Sequence, residues 1–137
     1  MSNFPATLLT ATVTVLAILF YFYASVRTGR LRAQLGIQAP ATIGHPTFER
    51  AFRVQLNTLE QMGLFLPLLW LTAFYPISLA WLAPLIGCIW VLGRVIYLRA
   101  YMANPQSRLP GAAISLVTNL ALLIIAVIGL IRAWTAA

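Results

Sequence analysis

Apolar residues fill four long stretches of this chain, and charged and turn-forming residues gather at their ends. The first stretch, Phe4 to Val26, carries no charge. Its 23 residues would reach ~35 Å at the α-helical rise, enough to cross a hydrocarbon core of ~30 Å. Tyr21 and Tyr23 near its exit suit the headgroup layer, where amphipathic rings collect. Arg27 to Thr47 then combines Arg27, Arg30 and Arg32 with Gly36, Pro40, Gly44 and Pro46, a density of charge and turn formers that predicts a loop outside the membrane. A second span needs residues 48–75, because its charge-free part, Gln61 to Tyr75, has only 15 residues and is too short to cross alone. The polar stretch ahead of it must therefore enter the bilayer, with Glu60 a few residues inside, and Pro67 is expected to kink the helix. Pro76 and Ser78 mark a short turn into a third span over 77–102, and Asn104 to Gly111 form a compact connector to a fourth over 109–133. The pattern predicts one all-α membrane domain over residues 1–137, a four-transmembrane-helix bundle with both termini on the same side. No basic region precedes the first apolar run, which is span-length, so that segment is expected to remain as an anchor.

Composition excludes a soluble domain: 61% of residues are hydrophobic and 8% charged. The net charge of +7 comes from nine arginines against Glu49 and Glu60, with no lysine. The arginines lie at span edges, not across a soluble surface, so no nucleic acid partner is expected. All but Arg132 flank the first and third connections, which the positive-inside rule makes cytoplasmic, leaving both termini outside. Arginine without lysine points to a GC-rich bacterial genome and hence to the inner membrane. The single cysteine, Cys88, lies in an apolar run, and His45 sits alone between Gly44 and Pro46; no metal-ligand spacing exists.

One polar stretch does not fit a purely structural reading. In FERAFRVQLNTLEQ, Phe48 to Gln61, the residues Arg50, Arg53, Asn57 and Glu60 recur at spacings of three, four and three, so they share one helix face. Two guanidiniums, an amide and a carboxylate suit a small zwitterionic, polycarboxylic ligand, because guanidinium forks grip carboxylates and a carboxylate receives an ammonium. The plainer reading is a solvated helix start with ion pairs such as Glu49 with Arg53. An intramembrane carboxylate such as Glu60 nevertheless needs a partner, since burying charge at mid-membrane depth costs roughly 2.5–3.5 kcal/mol. On the third span Arg94, Tyr97 and Tyr101 share a face, where an aromatic belt competes with a ligand role, while Arg99 points away. Glu60 is expected to be a ligand residue and not a structural ion-pair partner of Arg94, which sits at comparable depth on the third span.

The run FERAFRVQLNTLE, followed by Tyr97, Tyr101 and Arg108 in a Tyr-x3-Tyr-x6-Arg pattern, resembles the membrane-associated proteins of eicosanoid and glutathione metabolism, of the microsomal glutathione transferase and leukotriene synthase type. The resemblance covers nearly the whole chain. It implies a homotrimer that binds glutathione between subunits, facing the cytosol. It assigns glutathione contacts to Arg53, Gln55, Asn57 and Glu60 on the second helix and to Tyr97 and Tyr101 on the third, and thiol activation to Arg108. A further arginine from the end of the first helix is implied, with Arg30 favoured over Arg32. The chain departs from the leukotriene synthase pattern after Glu60, where Gln61 replaces a tyrosine.

The chemistry of glutathione agrees with these residues: two carboxylates for Arg53 and a basic partner, an ammonium for Glu60, and a thiol for Arg108. A free thiol titrates near ~8.5, so thiolate at neutral pH requires its pKa lowered by roughly 2, worth about 2.7 kcal/mol, which a nearby guanidinium in a partly desolvated site supplies. The implied function is a membrane-bound glutathione transferase with a glutathione peroxidase side activity, acting on a hydrophobic electrophile or lipid hydroperoxide arriving from membrane lipid. The alternative is a non-catalytic lipid-binding or scaffold protein on the same fold. A transporter fits poorly, as inverted repeats are missing from the sequence.

Overall fold

A computed structural model of the chain describes residues 4–77 and 79–136. Among them the regular structure is wholly helical: α1 spans Phe4–Gln34, α2 Pro46–Phe74, α3 Leu82–Ala103 and α4 Leu109–Ala136, with a one-turn 3₁₀ segment at Pro105–Arg108. Both α1 and α4 pack on α2 and α3. Three helical segments, Pro5–Gln34, Leu82–Ala103 and Pro105–Ala136, are long and apolar enough to cross a membrane. At 29 residues α2 is as long, but its first half is polar.

The first connection is shorter than the sequence pattern predicts. Arg27, Arg30 and Arg32 lie on α1, not in a loop, because the residues after Val26 are mostly good helix formers, no proline interrupts them, and Gly29 keeps a helical conformation. Gly36 then ends the helix with φ +64°. Its N–H donates to Ala33 O at 3.3 Å and the Ile37 N–H to Arg32 O at 3.0 Å, the paired bonds of a Schellman cap. Arg32 folds back onto the connection, donating to Ala41 O at 2.8 Å and covering the Phe48 ring at 4.7 Å.

Next, His45 caps α2, its Nδ1 accepting from Thr47 N at 3.2 Å ahead of Pro46. Glu49 does not pair with Arg53: its Oε1 accepts the Gly44 N–H at 2.9 Å. Arg50 does not face a ligand with Arg53 but donates to Met102 O at 3.2 Å, satisfying a carbonyl at the α3 C-terminus. At the opposite end of the bundle, α3 begins at Leu82, later than the expected turn, and the Arg132 guanidinium donates to Ile77 O. Ser78 lies outside the described residues.

The apolar core holds Val13, Phe65, Leu69, Trp90 and Leu122, with Phe65 and Trp90 stacked at 4.0 Å. Many apolar side chains point outward, among them Leu19 and Phe22 on α1 and Leu120 and Val127 on α4, as lipid-facing helices require. Cys88 is also exposed.

One charged side chain lies inside this bundle. Arg94 on α3 is 1% exposed and so faces neither water nor headgroups. Its Nη2 donates to Asn57 Oδ1 at 3.1 Å and Thr58 Oγ1 at 2.9 Å on α2, and its Nη1 to Ser115 Oγ at 3.4 Å on α4. Thr58 and Ser115 spend their own hydrogens on Val54 O and Gly111 O, which leaves their lone pairs for the guanidinium. The guanidinium also stands 4.3 Å from the centroid of the Tyr97 ring. Three helices are thus joined through one cation.

Removing it would strand those acceptors. Arg94→Ala is expected to destabilise the protein by about 2–4 kcal/mol, read as a lower unfolding midpoint by tryptophan fluorescence in detergent. Arg99→Ala, an exposed position on the same helix, is expected to leave the midpoint in place; equal midpoints for the two variants would contradict the structural role.

Candidate functional site

Arg53, Asn57 and Gln61 follow one another at intervals of four on α2 and so form one stripe. The stripe faces Arg94 and Tyr97 on α3, Arg108 at the end of the 3₁₀ turn, and Ala112 and Ser115 on α4, and together these residues line a cavity of about 230 Å³. Two local features bring the third wall in. Gly111 has no side chain to hold α4 away: a Cβ there would lie 2.5 Å from the backbone of Tyr97. The turn before it is fixed by Asn104, whose Oδ1 accepts Gln106 N–H at 3.0 Å and whose carbonyl accepts Ser107 N–H at 2.9 Å. Arg108 therefore leaves the 3₁₀ turn beside Tyr97.

The cavity is cationic. Arg53, Arg94 and Arg108 contribute guanidiniums and none of the lining residues is a carboxylate. Arg94, buried and held by neutral acceptors, cannot be screened by solvent, while Arg53 and Arg108 are exposed at the rim. Such an arrangement attracts an anion and offers guanidinium forks to hold it. Just outside the lining, Glu60 is exposed and accepts from Asn57 Nδ2 at 3.4 Å. Asn57 thus links Arg94 on one side to Glu60 on the other. No metal-ligand cluster occurs among the described residues.

Of the residues that the sequence singles out, Arg53, Asn57, Tyr97 and Arg108 line this cavity. Tyr101 lies against it, its ring 5.5 Å from that of Tyr97. Gln55, two positions from Arg53, leaves α2 on a different side, about 200° around the helix. Arg30 is exposed on α1, where it borders a separate groove with Tyr23, Arg27 and Gln34. The neighbouring Arg32 is engaged by the connection after α1.

Sequence reasoning missed the contributions of Arg94, Gln61, Ala112 and Ser115. A signal existed for the last two: Arg108, Ala112 and Ser115 recur at four and three, the spacing of one helical face. Arg94 shares the face of Tyr97 and Tyr101, but its burial depends on Thr58 and Ser115 meeting it from two other helices.

Comparison with known proteins places the whole chain. The MAPEG family model matches residues 10–128. An uncharacterized protein of Synechocystis sp. is 38% identical over 121 residues, covering 88% of this chain and 87% of that protein. Leukotriene C4 synthase of Rattus norvegicus is 37% identical over 103 residues, covering 75% and 67%. Microsomal glutathione S-transferase 2 of Homo sapiens is 30% identical over 109 residues, covering 80% and 73%. With its membrane-length apolar helices and a family match over most of its length, this integral membrane protein belongs to the MAPEG family.

Proposed function

We propose that the chain is a glutathione transferase with peroxidase activity that crosses the membrane four times and works as a homotrimer. One observation carries the reading: three guanidiniums converge on a cavity free of carboxylates, with Glu60 one hydrogen bond outside it. That charge layout matches glutathione, whose two carboxylates and thiolate are anionic and whose ammonium needs a carboxylate. Arg53 takes a carboxylate of the tripeptide. Glu60 takes the ammonium, with Asn57 holding the Glu60 carboxylate in place. Arg108 stands at the thiol and favours its ionised form, and the Tyr97 and Tyr101 rings form the wall beside it.

Bound thiolate then attacks an apolar electrophile from the bilayer. With an aryl halide the sulfur–carbon bond forms, halide leaves, and the product is the thioether. Trimer formation is supported by the residues that point elsewhere: the α1 groove with Arg30, and Gln55 on the far side of α2, would serve a neighbour's cavity. The positive-inside rule, applied to the seven arginines near the first and third connections other than buried Arg94, supports a cavity at the cytoplasmic face, and the arginine-only basicity fits a bacterial inner membrane.

Two substitutions test the assignments. Glu60→Gln should weaken glutathione binding about tenfold or more, as a charged hydrogen bond is lost, and should leave the unfolding midpoint unchanged because Arg94 keeps its own acceptors. Unchanged affinity with a large fall in midpoint would make Glu60 a structural residue instead. Arg108→Ala should keep glutathione affinity within a few-fold but return the bound thiol towards ~8.5. Turnover of chlorodinitrobenzene at pH 7 should then fall more than tenfold and recover as the pH rises towards about 9. The sign follows from the thiol: a lowered pKa supplies thiolate at neutral pH, and that supply is lost when the pKa rises. Superimposable pH–rate profiles would remove Arg108 from the mechanism and favour a non-catalytic, lipid-binding role.

A further inference from the structure

The cationic cavity has an apolar neighbour, and one side chain stands between them. A second cavity of about 350 Å³ between α2 and α4 is walled by Leu64, Leu68, Leu116, Leu120 and Leu123. Among the described residues only Gln61 lines both. It follows Asn57 by one turn on α2 and is partly buried. Its Oε1 accepts from Asn119 Nδ2 at 2.9 Å, while its Nε2 meets no acceptor among the described residues. Asn119 itself is buried and meets no ligand; its part is to hold the Gln61 amide from behind. The bond from Asn119 also polarises that amide, which strengthens its N–H groups as donors. The seam between the guanidinium-lined and the leucine-lined space therefore carries one neutral donor in a fixed place.

We infer that Gln61 is a catalytic residue for electrophiles in which the carbon under attack is conjugated to an oxygen acceptor, with α,β-unsaturated ketones on an apolar chain as the fitting class. The inference rests on the glutathione reading above. Arg108 and Gln61 line the same cavity, so a thiolate held at Arg108 and an electrophile entering past Gln61 meet inside it. The apolar chain lies along the leucines, and the carbonyl oxygen accepts from Gln61 Nε2. That bond is weak while the carbonyl is neutral and strengthens as charge collects on the oxygen, which is the condition for speeding the step and not only binding the substrate. An amide lends a hydrogen bond but does not give up its proton. It therefore suits charge spread over an enolate, and not an alkoxide that must be protonated as it forms, as in the opening of an epoxide.

The step balances without oxidant or reductant. Thiolate sulfur attacks the β-carbon, the sulfur–carbon bond forms, and the carbon–carbon π pair moves towards the carbonyl to give the enolate. No group leaves. The enolate takes a proton at its α-carbon from water, which reaches the cavity at the rim where Arg53 and Arg108 are exposed. The product is the saturated ketone thioether. With an alkyl iodide, by contrast, the charge leaves on the halide and no oxygen calls for a donor.

The test compares α,β-unsaturated nonenone with iodononane as electrophiles for glutathione and the unaltered protein in detergent. Each kcat/KM is divided by the rate constant of the uncatalysed reaction of glutathione with the same compound at the same pH. The acceleration so obtained should be about tenfold or more greater for the enone, the effect of one hydrogen bond to developing charge. Gln61→Met keeps the length of the side chain but loses the donor, and should abolish that difference, mainly through kcat. Asn119→Leu should reduce it by a smaller factor, because the donor stays but is no longer held. Equal accelerations in the unaltered protein would overturn the inference, as would equal losses for the two electrophiles in Gln61→Met, the result expected of a structural residue. Because the first comparison needs no variant, it decides the matter even if Gln61→Met does not fold. Conjugation of both compounds with equal acceleration would sink this inference alone; failure to conjugate either would sink the transferase reading on which it rests.

Discussion

The burial of the Arg94 guanidinium among neutral acceptors is the interaction on which the site geometry rests. A cation in a membrane bundle is expected to find a carboxylate or reach the headgroups. Arg94 does neither; it takes an amide oxygen from Asn57, hydroxyl oxygens from Thr58 and Ser115, and the face of Tyr97. Its charge is solvated but not neutralised. The three acceptors come from α2 and α4, so the same contacts that hold the terminal nitrogens of the guanidinium set the separation of the cavity walls. They also orient Asn57, whose other end holds Glu60. Packing and electrostatics are one arrangement here, and the anion-seeking character of the cavity follows from how the bundle is held together.

Five of the remaining arginines divide by the demands of helix ends. Arg32 and Arg50 are consumed by backbone carbonyls at the α1–α2 connection and the α3 C-terminus, and Arg132 by Ile77 at the opposite end. Helix termini leave carbonyls unpaired, and a guanidinium can reach them from a distance. Arg53 and Arg108 remain at the cavity rim. The result separates two uses of one residue type in a chain where arginine is the sole basic side chain apart from His45.

Much of this was legible from residue order. The four apolar runs correspond to the four helices because length and hydropathy dominate in a bilayer. The stripe of Arg53 and Asn57 was visible at helical spacing, as were Tyr97 and Tyr101. The end of α1 was not: a cluster of arginines reads as a loop by charge, yet Arg, Leu, Ala and Gln are good helix formers and only Gly36 stops them. Arg50 shares the helical face of Arg53, and its diversion to Met102 depends on where α3 ends in space. Likewise Arg94 is buried because Thr58 and Ser115 come to it from helices far away in sequence. Periodicity reports which residues share a face, and only tertiary packing decides what that face meets.

The central claim is that a cavity of uncompensated guanidiniums binds glutathione as its thiolate. Ultraviolet titration of the detergent-purified protein with glutathione at neutral pH tests this most directly, with S-methylglutathione as the control that binds but cannot ionise at sulfur. The account predicts thiolate absorbance that rises to saturation with glutathione and is missing with the S-methyl compound. Saturable glutathione binding without thiolate absorbance would contradict it.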